Sequence, residues 1–325
     1  MVVPSEFTPP RETKMDKCLI TGVAGFIGSH LAERLIKLGY EVIGIDCFTD
    51  YYSRDIKQKN ISGLIKNKTF KFIEKNLLEI EFEEILENVQ YIFHHAAQAG
   101  VRPSWGNNFK VYADNNILAT QKLLEAAKGH KIKKFIYASS SSVYGDVEEL
   151  PVKETTPPRP ISPYGVTKLA GENLCYLYWK NFGIPIVSLR YFTVYGPGQR
   201  PDMAFHKFIN AINSNQEIII YGDGNQTRDF TYISDVVEAN ILAMEKNIIG
   251  EIFNIGGGTR INLNETIGLL EKIMNRKAKL KFIEEQKGDM RHTFADTTKA
   301  RKMLGYNSTV GIEEGLRQEV RWLTK

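Results

Sequence analysis

Cysteine is scarce in this chain. Cys18, Cys47 and Cys175 are the only three among 325 residues, odd in number and far apart. That usage excludes a disulfide framework and a sequence-local zinc cluster, so no metal is expected, and it fits reduced thiols in the cytoplasm. No apolar run approaches the roughly 20 residues that span a bilayer. Residues 1 to 14 carry three prolines among mixed polar residues and lack the apolar core of a signal peptide, so they read as a flexible extension. Blocks of like charge are missing too. With 42 Lys and Arg against 38 Asp and Glu, scattered to a net charge of +4, the chain is not built for nucleic acid. There is no internal repeat and no low-complexity tract.

What is present is a rhythm. Apolar runs at 17 to 21, 41 to 45, 69 to 73, 90 to 94, 133 to 139 and 185 to 190 alternate with helical patterns. Runs that are continuous rather than alternating are those of parallel strands buried on both faces. The fold class is therefore α/β, a doubly wound parallel sheet of the Rossmann kind. After about residue 190 come loops rich in Gly, Pro and Arg, a short strand at 217 to 221, and amphipathic helices near 201 to 213, 263 to 275 and 311 to 323. Residues 15 to 190 are expected to form the dinucleotide domain, with a return segment at about 232 to 258. Residues 191 to 325 mainly form a smaller, partly interleaved substrate domain.

Between the first strand and the helix after it lies Thr21-Gly22-Val23-Ala24-Gly25-Phe26-Ile27-Gly28. The second strand ends on Asp46. A strand, a glycine turn, a helix and an acid about twenty residues on let a backbone approach a pyrophosphate. Gly22 makes the turn, Gly25 admits the phosphate, and Gly28 lets helix pack on strand, while the helix start offers free N–H groups. Asp46 would accept the ribose hydroxyls, which favours NAD over NADP.

Ser162-Pro163-Tyr164-Gly165-Val166-Thr167-Lys168 starts a helix, with Ser162 as N-cap and Pro163 at the first helical position. Tyr164 and Lys168 share a face. A cation about 4 Å from a phenolate is worth roughly 4 kcal/mol at an effective dielectric of 20, enough to bring a phenol towards neutrality. Such a tyrosine is a general base. Tyr176 and Lys180 repeat the spacing, but about 18 Å further along the axis, and read as structural. Upstream, Ser139-Ser140-Ser141-Ser142 ends a strand, where small hydroxyls can hold a sugar hydroxyl or a carboxylate. His94 and His95 read as packing or cofactor-lining residues rather than metal ligands, and His206, within a helical pattern, as structural.

Taken together, these residues resemble the extended short-chain dehydrogenase/reductases, and among them the nucleotide-sugar epimerases, from about Cys18 onward. The resemblance implies NAD, a UDP-sugar substrate and a catalytic trio of Ser140, Tyr164 and Lys168. It also places Phe26, Ile27 and Asp46 on the cofactor, Asn76 and Leu77 beside adenine, and Ala96, Ala97, Gln98, Asn115 and Phe192 near the dinucleotide. Phe192-Thr193-Val194-Tyr195-Gly196-Pro197, Arg200-Pro201-Asp202-Met203-Ala204, Ala97-Gln98-Ala99-Gly100-Val101-Arg102 and Asp50-Tyr51-Tyr52 look most like UDP-glucuronate 4-epimerases. Neutral UDP-sugar epimerases, acting on UDP-glucose or UDP-N-acetylglucosamine, and UDP-glucuronate decarboxylases are the neighbouring alternatives.

For the substrate, the resemblance implies Arg228 on the diphosphate, with Arg200, Lys207 and Tyr221 as candidates for remaining phosphate and uracil contacts. Asp289 would face the uridine ribose, although Gln286 stands where an arginine is common, and Arg102 is a lesser candidate. Ser141, Ser142 and Thr193 are expected on the substrate carboxylate. Ser141-Ser142 also replaces the acidic pair that dehydratases and decarboxylases tend to carry. A homodimer packed through the helix of Tyr164 and one near 107 to 128 is implied as well.

Overall fold

The computed structural model describes residues 15–285 and 287–325. The extension at 1 to 14 and the departure at Gln286 lie outside the described residues. Seven strands form one sheet: β1 (Lys17–Thr21), β2 (Glu41–Asp46), β3 (Phe70–Glu74), β4 (Tyr91–His94), β5 (Lys134–Ser140), β6 (Ile186–Tyr191) and, after a long excursion, β10 (Glu251–Ile255). Their order is β10-β6-β5-β4-β1-β2-β3, and every neighbouring pair is parallel.

Both faces of this sheet are covered, which is why its strands read as continuous apolar runs. Successive side chains point to opposite faces. Cys18 and Ile20 thus enter one core and Leu19 the other, and Ile136 and Ala138 oppose Phe135 and Tyr137 in the same way. The helix Phe26–Lys37 packs against the helix Ile233–Glu245 on the first of these faces.

The excursion and the chain after β10 together carry the smaller units. In chain order these are β7 (Thr193–Tyr195), β8 (Glu217–Tyr221), β9 (Thr227–Tyr232), β11 (Arg260–Asn262) and β12 (Lys279–Ile283), arranged as a three-stranded sheet β11-β9-β7 and a two-stranded sheet β12-β8. The helices foreseen in this region occupy Ala204–Asn213, Leu263–Met274 and Ile312–Leu323. Asn262 and Glu265 start the second with a capping box.

The stretch read as one helix near 107 to 128 is more broken. It runs as Phe109–Tyr112, a π-helical turn Ala113–Leu118, and Ala119–Ala127. Wide turns of this kind mark places where a helix yields to a local demand. No helix among the described residues is long and apolar enough to cross a membrane.

Candidate active site

The carboxyl ends of the parallel strands open on one cavity of about 750 Å³, at the point where strand order diverges on either side of β1 and β4. Every residue assigned from sequence to cofactor, catalysis or substrate lines this cleft.

At the dinucleotide end, Gly22 has φ +72°, and a Cβ there would stand 2.7 Å from the Ala96 nitrogen. A Cβ on Gly28 would overlap the Gly22 carbonyl oxygen. Both positions require glycine. Gly25 begins the helix Phe26–Lys37 without any side-chain cap, so the N–H groups of that first turn, from Phe26 and Ile27 onward, are left for a ligand. Asp46 accepts from the backbone N–H groups of Ala24, at 3.1 Å, and Phe48, at 2.9 Å, while burial pushes its pKa up.

Asn76, Leu77, Ala96, Ala97 and Phe192 complete this wall. Asn115 also lines it, with its amide donated to the Val111 carbonyl. The neighbouring Asn116 does more. Fully buried, it accepts the Gln98 N–H at 2.7 Å and donates to the Gln98 carbonyl at 3.0 Å and to Thr167 at 2.9 Å. It thereby ties the loop after β4 to the helix of Tyr164.

That helix spans Pro163–Phe182, with the Ser162 hydroxyl accepting the Gly165 N–H at 3.1 Å. Tyr164 and Lys168 both reach the cleft. Their relation differs from the sequence expectation, in which the ammonium lowers the phenol's pKa. Lys168 Nζ donates to the Ala138 carbonyl at 2.8 Å, and burial raises the pKa of Tyr164 above its ordinary 10, opposed by a hydrogen bond to Ser140 and by the charge of Arg200. Burial also lowers Lys168 to about 8.

Ser140, Ser141 and Ser142 are buried at the end of β5, and Thr193 opens β7 beside them. The second Tyr–Lys pair lies elsewhere: Tyr176 is exposed, and Lys180 covers the Trp179 ring. His94 is wedged between the hydroxyls of Thr21 and Thr120, and His206 bonds the Gln199 carbonyl, both packing roles. His95 stacks on Tyr191, with its ring nitrogens buried and unpartnered. No group of potential metal ligands occurs among the described residues.

On the substrate side, Arg102 and Asp289 form an ion pair at 2.6 Å, and the Arg102 guanidinium lies 4.0 Å above the Tyr221 ring. Arg228 is close enough to feel both charges, and burial lowers its pKa. Lys207 completes the cationic wall. Arg200, assigned from sequence to the nucleotide, sits within electrostatic reach of Tyr164. Asp202 holds it through two hydrogen bonds of 2.9 and 3.0 Å.

A model of the NAD dependent epimerase/dehydratase family matches residues 18–256. The chain belongs to this family. An uncharacterized UDP-glucose epimerase, YtcB of Bacillus subtilis (strain 168), is 49% identical over 310 residues, covering 95% of this chain and 98% of that protein. A UDP-glucuronate 4-epimerase of Thermodesulfobacterium geofontis (strain OPF15) is 40% identical over 308 residues, with 94% and 95% covered. Among solved structures, the UDP-glucuronic acid 4-epimerase from Bacillus cereus in complex with UDP-glucuronic acid and NAD superposes with a TM-score of 0.93. That similarity is at 48% identity over 95% of this chain and 99% of the other.

Several residues of this epimerase/dehydratase site escaped the sequence reading. Lys57 is buried at the dinucleotide end, donates to the Thr49 carbonyl and carries a charge that Asp46 feels. Nothing in the sequence separates it from Arg54 or Lys59, which share its helix. Tyr51, quoted from the sequence only as part of a motif, donates to Asp202 at 3.1 Å, backing Arg200. Glu172 and Arg190 form a buried ion pair behind Lys168.

Proposed function

We propose that the protein is an NAD-dependent UDP-hexose 4-epimerase that interconverts UDP-glucuronate and UDP-galacturonate. One observation carries this reading. Tyr164, Lys168 and Ser140 meet in a single cleft with two further serine hydroxyls, Thr193 and the guanidinium of Arg200, a set that suits an oxidisable carbinol beside a carboxylate. The relatives named for UDP-glucuronate support it, and the relative named for UDP-glucose keeps a neutral UDP-sugar epimerase as the second reading.

The residues present fit the dinucleotide. The uncapped helix start would take its diphosphate, Asp46 and Lys57 its adenosine ribose, and Asn76 and Leu77 its adenine. When bound, NAD would supply a reversible acceptor for the C4 hydride, so none would be consumed. Tyr164 Oη takes the C4 hydroxyl proton and gives it back after the sugar has turned its other face. Ser140 hydrogen-bonds the same oxygen and, with the charge of Arg200, offsets the effect of burial on the phenol, while the Lys168 ammonium, held by the Ala138 carbonyl, adds positive charge to the cleft.

The 4-keto form of a glucuronate is a β-keto acid. It loses carbon dioxide when the breaking bond lies parallel to the carbonyl π orbitals. Ser141, Ser142 and Thr193 hold the carboxylate away from that alignment. Arg228, Lys207, Tyr221, Arg102 and Asp289 take the UDP moiety, the guanidinium of Arg228 suiting two phosphate oxygens.

The sequence divides into a cofactor domain at 15 to 190, a return at 232 to 258, and a mainly substrate-binding remainder. Exposed Val111, Leu118, Val166 and Leu177 on the two helices named above support a homodimer packed through them. Three unpaired thiols suit the cytoplasm. Incubation with UDP-glucuronate and no added nicotinamide, with separation of products, tests the function: UDP-galacturonate supports it. Conversion of UDP-glucose alone favours the second reading, and a UDP-pentose as main product overturns both.

A further inference from the structure

Behind the proton-handling groups lies a third residue on the same helix face. Tyr164, Lys168 and Glu172 are spaced at four-residue intervals, so they follow one stripe of the helix. Their partners are three successive residues at the end of β5. Tyr164 lies against Ser140, Lys168 donates to the Ala138 carbonyl, and Glu172 accepts from the Ser139 hydroxyl. Glu172 also takes a bidentate pair of hydrogen bonds from Arg190, at 2.8 Å from Nε and 2.7 Å from Nη2.

Ser139 and Arg190 face each other in the β5–β6 ladder. One carboxylate therefore clamps two adjacent strands to the catalytic helix at the point where those strands deliver Ser140 and Tyr191. Arg190 is held from its other side by the Tyr144 ring, 4.6 Å away, and the Tyr144 hydroxyl donates to Asn254 at 2.7 Å. The ion pair is almost entirely buried, with side chains 3% and 2% exposed. A pair so buried is poor evidence for stability, because apolar replacements are often as good, and its better-attested use is to fix geometry.

We infer that Glu172 is a positioning residue for the proton chemistry of Tyr164, Lys168 and Ser140. The inference rests on the proposed epimerase reading. Glu172 acts in two ways, by holding the three groups in register and by placing a negative charge behind Lys168. The groups facing Lys168 are Glu172 and Cys175 on its own helix, Tyr137 on β5 with its ring 5.3 Å from Nζ, and His94 at the end of β4 with His95 just after it, both rings held neutral by their surroundings. Arg190 on β6 forms its ion pair with Glu172. Removing the carboxylate therefore takes away a negative charge and leaves an uncompensated positive one. Both changes disfavour the protonated ammonium.

The test compares Glu172→Gln with wild type in kcat and KM for UDP-glucuronate between pH 6 and 10, with folding checked by circular dichroism. The expected result is an alkaline limb moved down by about one pH unit, a tenfold loss at a fixed pH above it, with KM within about twofold. A folded variant with the wild-type kcat and profile overturns the inference. Should Glu172→Gln not fold, Ser139→Ala removes one grip without changing charge. A several-fold lower kcat at unchanged KM then supports the inference, and a wild-type kcat overturns it. A wild-type enzyme that epimerises no UDP-sugar overturns the functional reading and this inference with it, whereas an active wild type beside an unaltered variant overturns this inference alone.

Discussion

Replacing Thr193 by valine should let the enzyme leak carbon dioxide. Thr193 opens β7, pairs with Phe230 of β9, and is partly open to the cleft beside Ser141 and Ser142. Valine fills nearly the same volume, so the change removes a hydroxyl and little else. A hydrogen bond to a charged group is worth about 1.5–3 kcal/mol. Because three hydroxyls share the restraint on the carboxylate, losing one releases part of it. About 1.4 kcal/mol corresponds to a tenfold rise in the population of the aligned rotamer. The ratio of UDP-pentose product to UDP-galacturonate, read by chromatography or NMR of the quenched reaction, should therefore rise about tenfold. Any UDP-glucose turnover should be unaffected, since that sugar has no carboxylate to lose. An unchanged ratio at unchanged KM would refute the idea that Thr193 restrains the carboxylate.

Tyr164→Phe should lower kcat by about 10²- to 10⁴-fold, the usual worth of a positioned acid/base, while calorimetry still finds UDP-sugar binding; a smaller loss would remove Tyr164 from the proton path. Asp46→Ala should weaken NAD binding in a fluorescence titration by about tenfold or more, the loss of hydrogen bonds to a charged acceptor, and equal affinity would place the ribose elsewhere. Glu319, wholly buried with one oxygen accepting the Gly196 N–H and the other unpartnered, has its pKa raised from 4.5 to about 8 by burial. Its stabilising contribution is therefore full below 4.5 and is lost as pH rises through 8. Glu319→Gln, which keeps an acceptor for Gly196, should gain thermal stability over wild type at pH 9 relative to pH 5, and the same difference at both pH values would contradict this.

What could be read from the sequence was local. The glycine turn, the strand before it and the acid after it lie within thirty residues, and the capped start of the Tyr164 helix lies within three, so chemistry and spacing sufficed. The short strands β7, β9, β11 and β12 were not legible, because each is fixed by a partner far along the chain, as Arg260 is by Asp229. The same holds within the site. Asn116 rather than Asn115 clasps Gln98 because a π-helical turn resets the helix phase there. The direction of the Lys168 ammonium depends on the Ala138 carbonyl, thirty residues upstream. The Glu172–Arg190 clamp joins an ordinary-looking helix glutamate to a strand arginine, and only the folded chain brings them together.

Tyr164 and its neighbours drive a hydride out from C4 and back to the same carbon within one closed cycle. Supplying UDP-glucuronate deuterated at C4, without added nicotinamide, and reading the product by NMR tests it most directly. The expected product is UDP-galacturonate with the deuterium kept at C4. Product that has exchanged the label with solvent, or a requirement for stoichiometric nicotinamide, would contradict it.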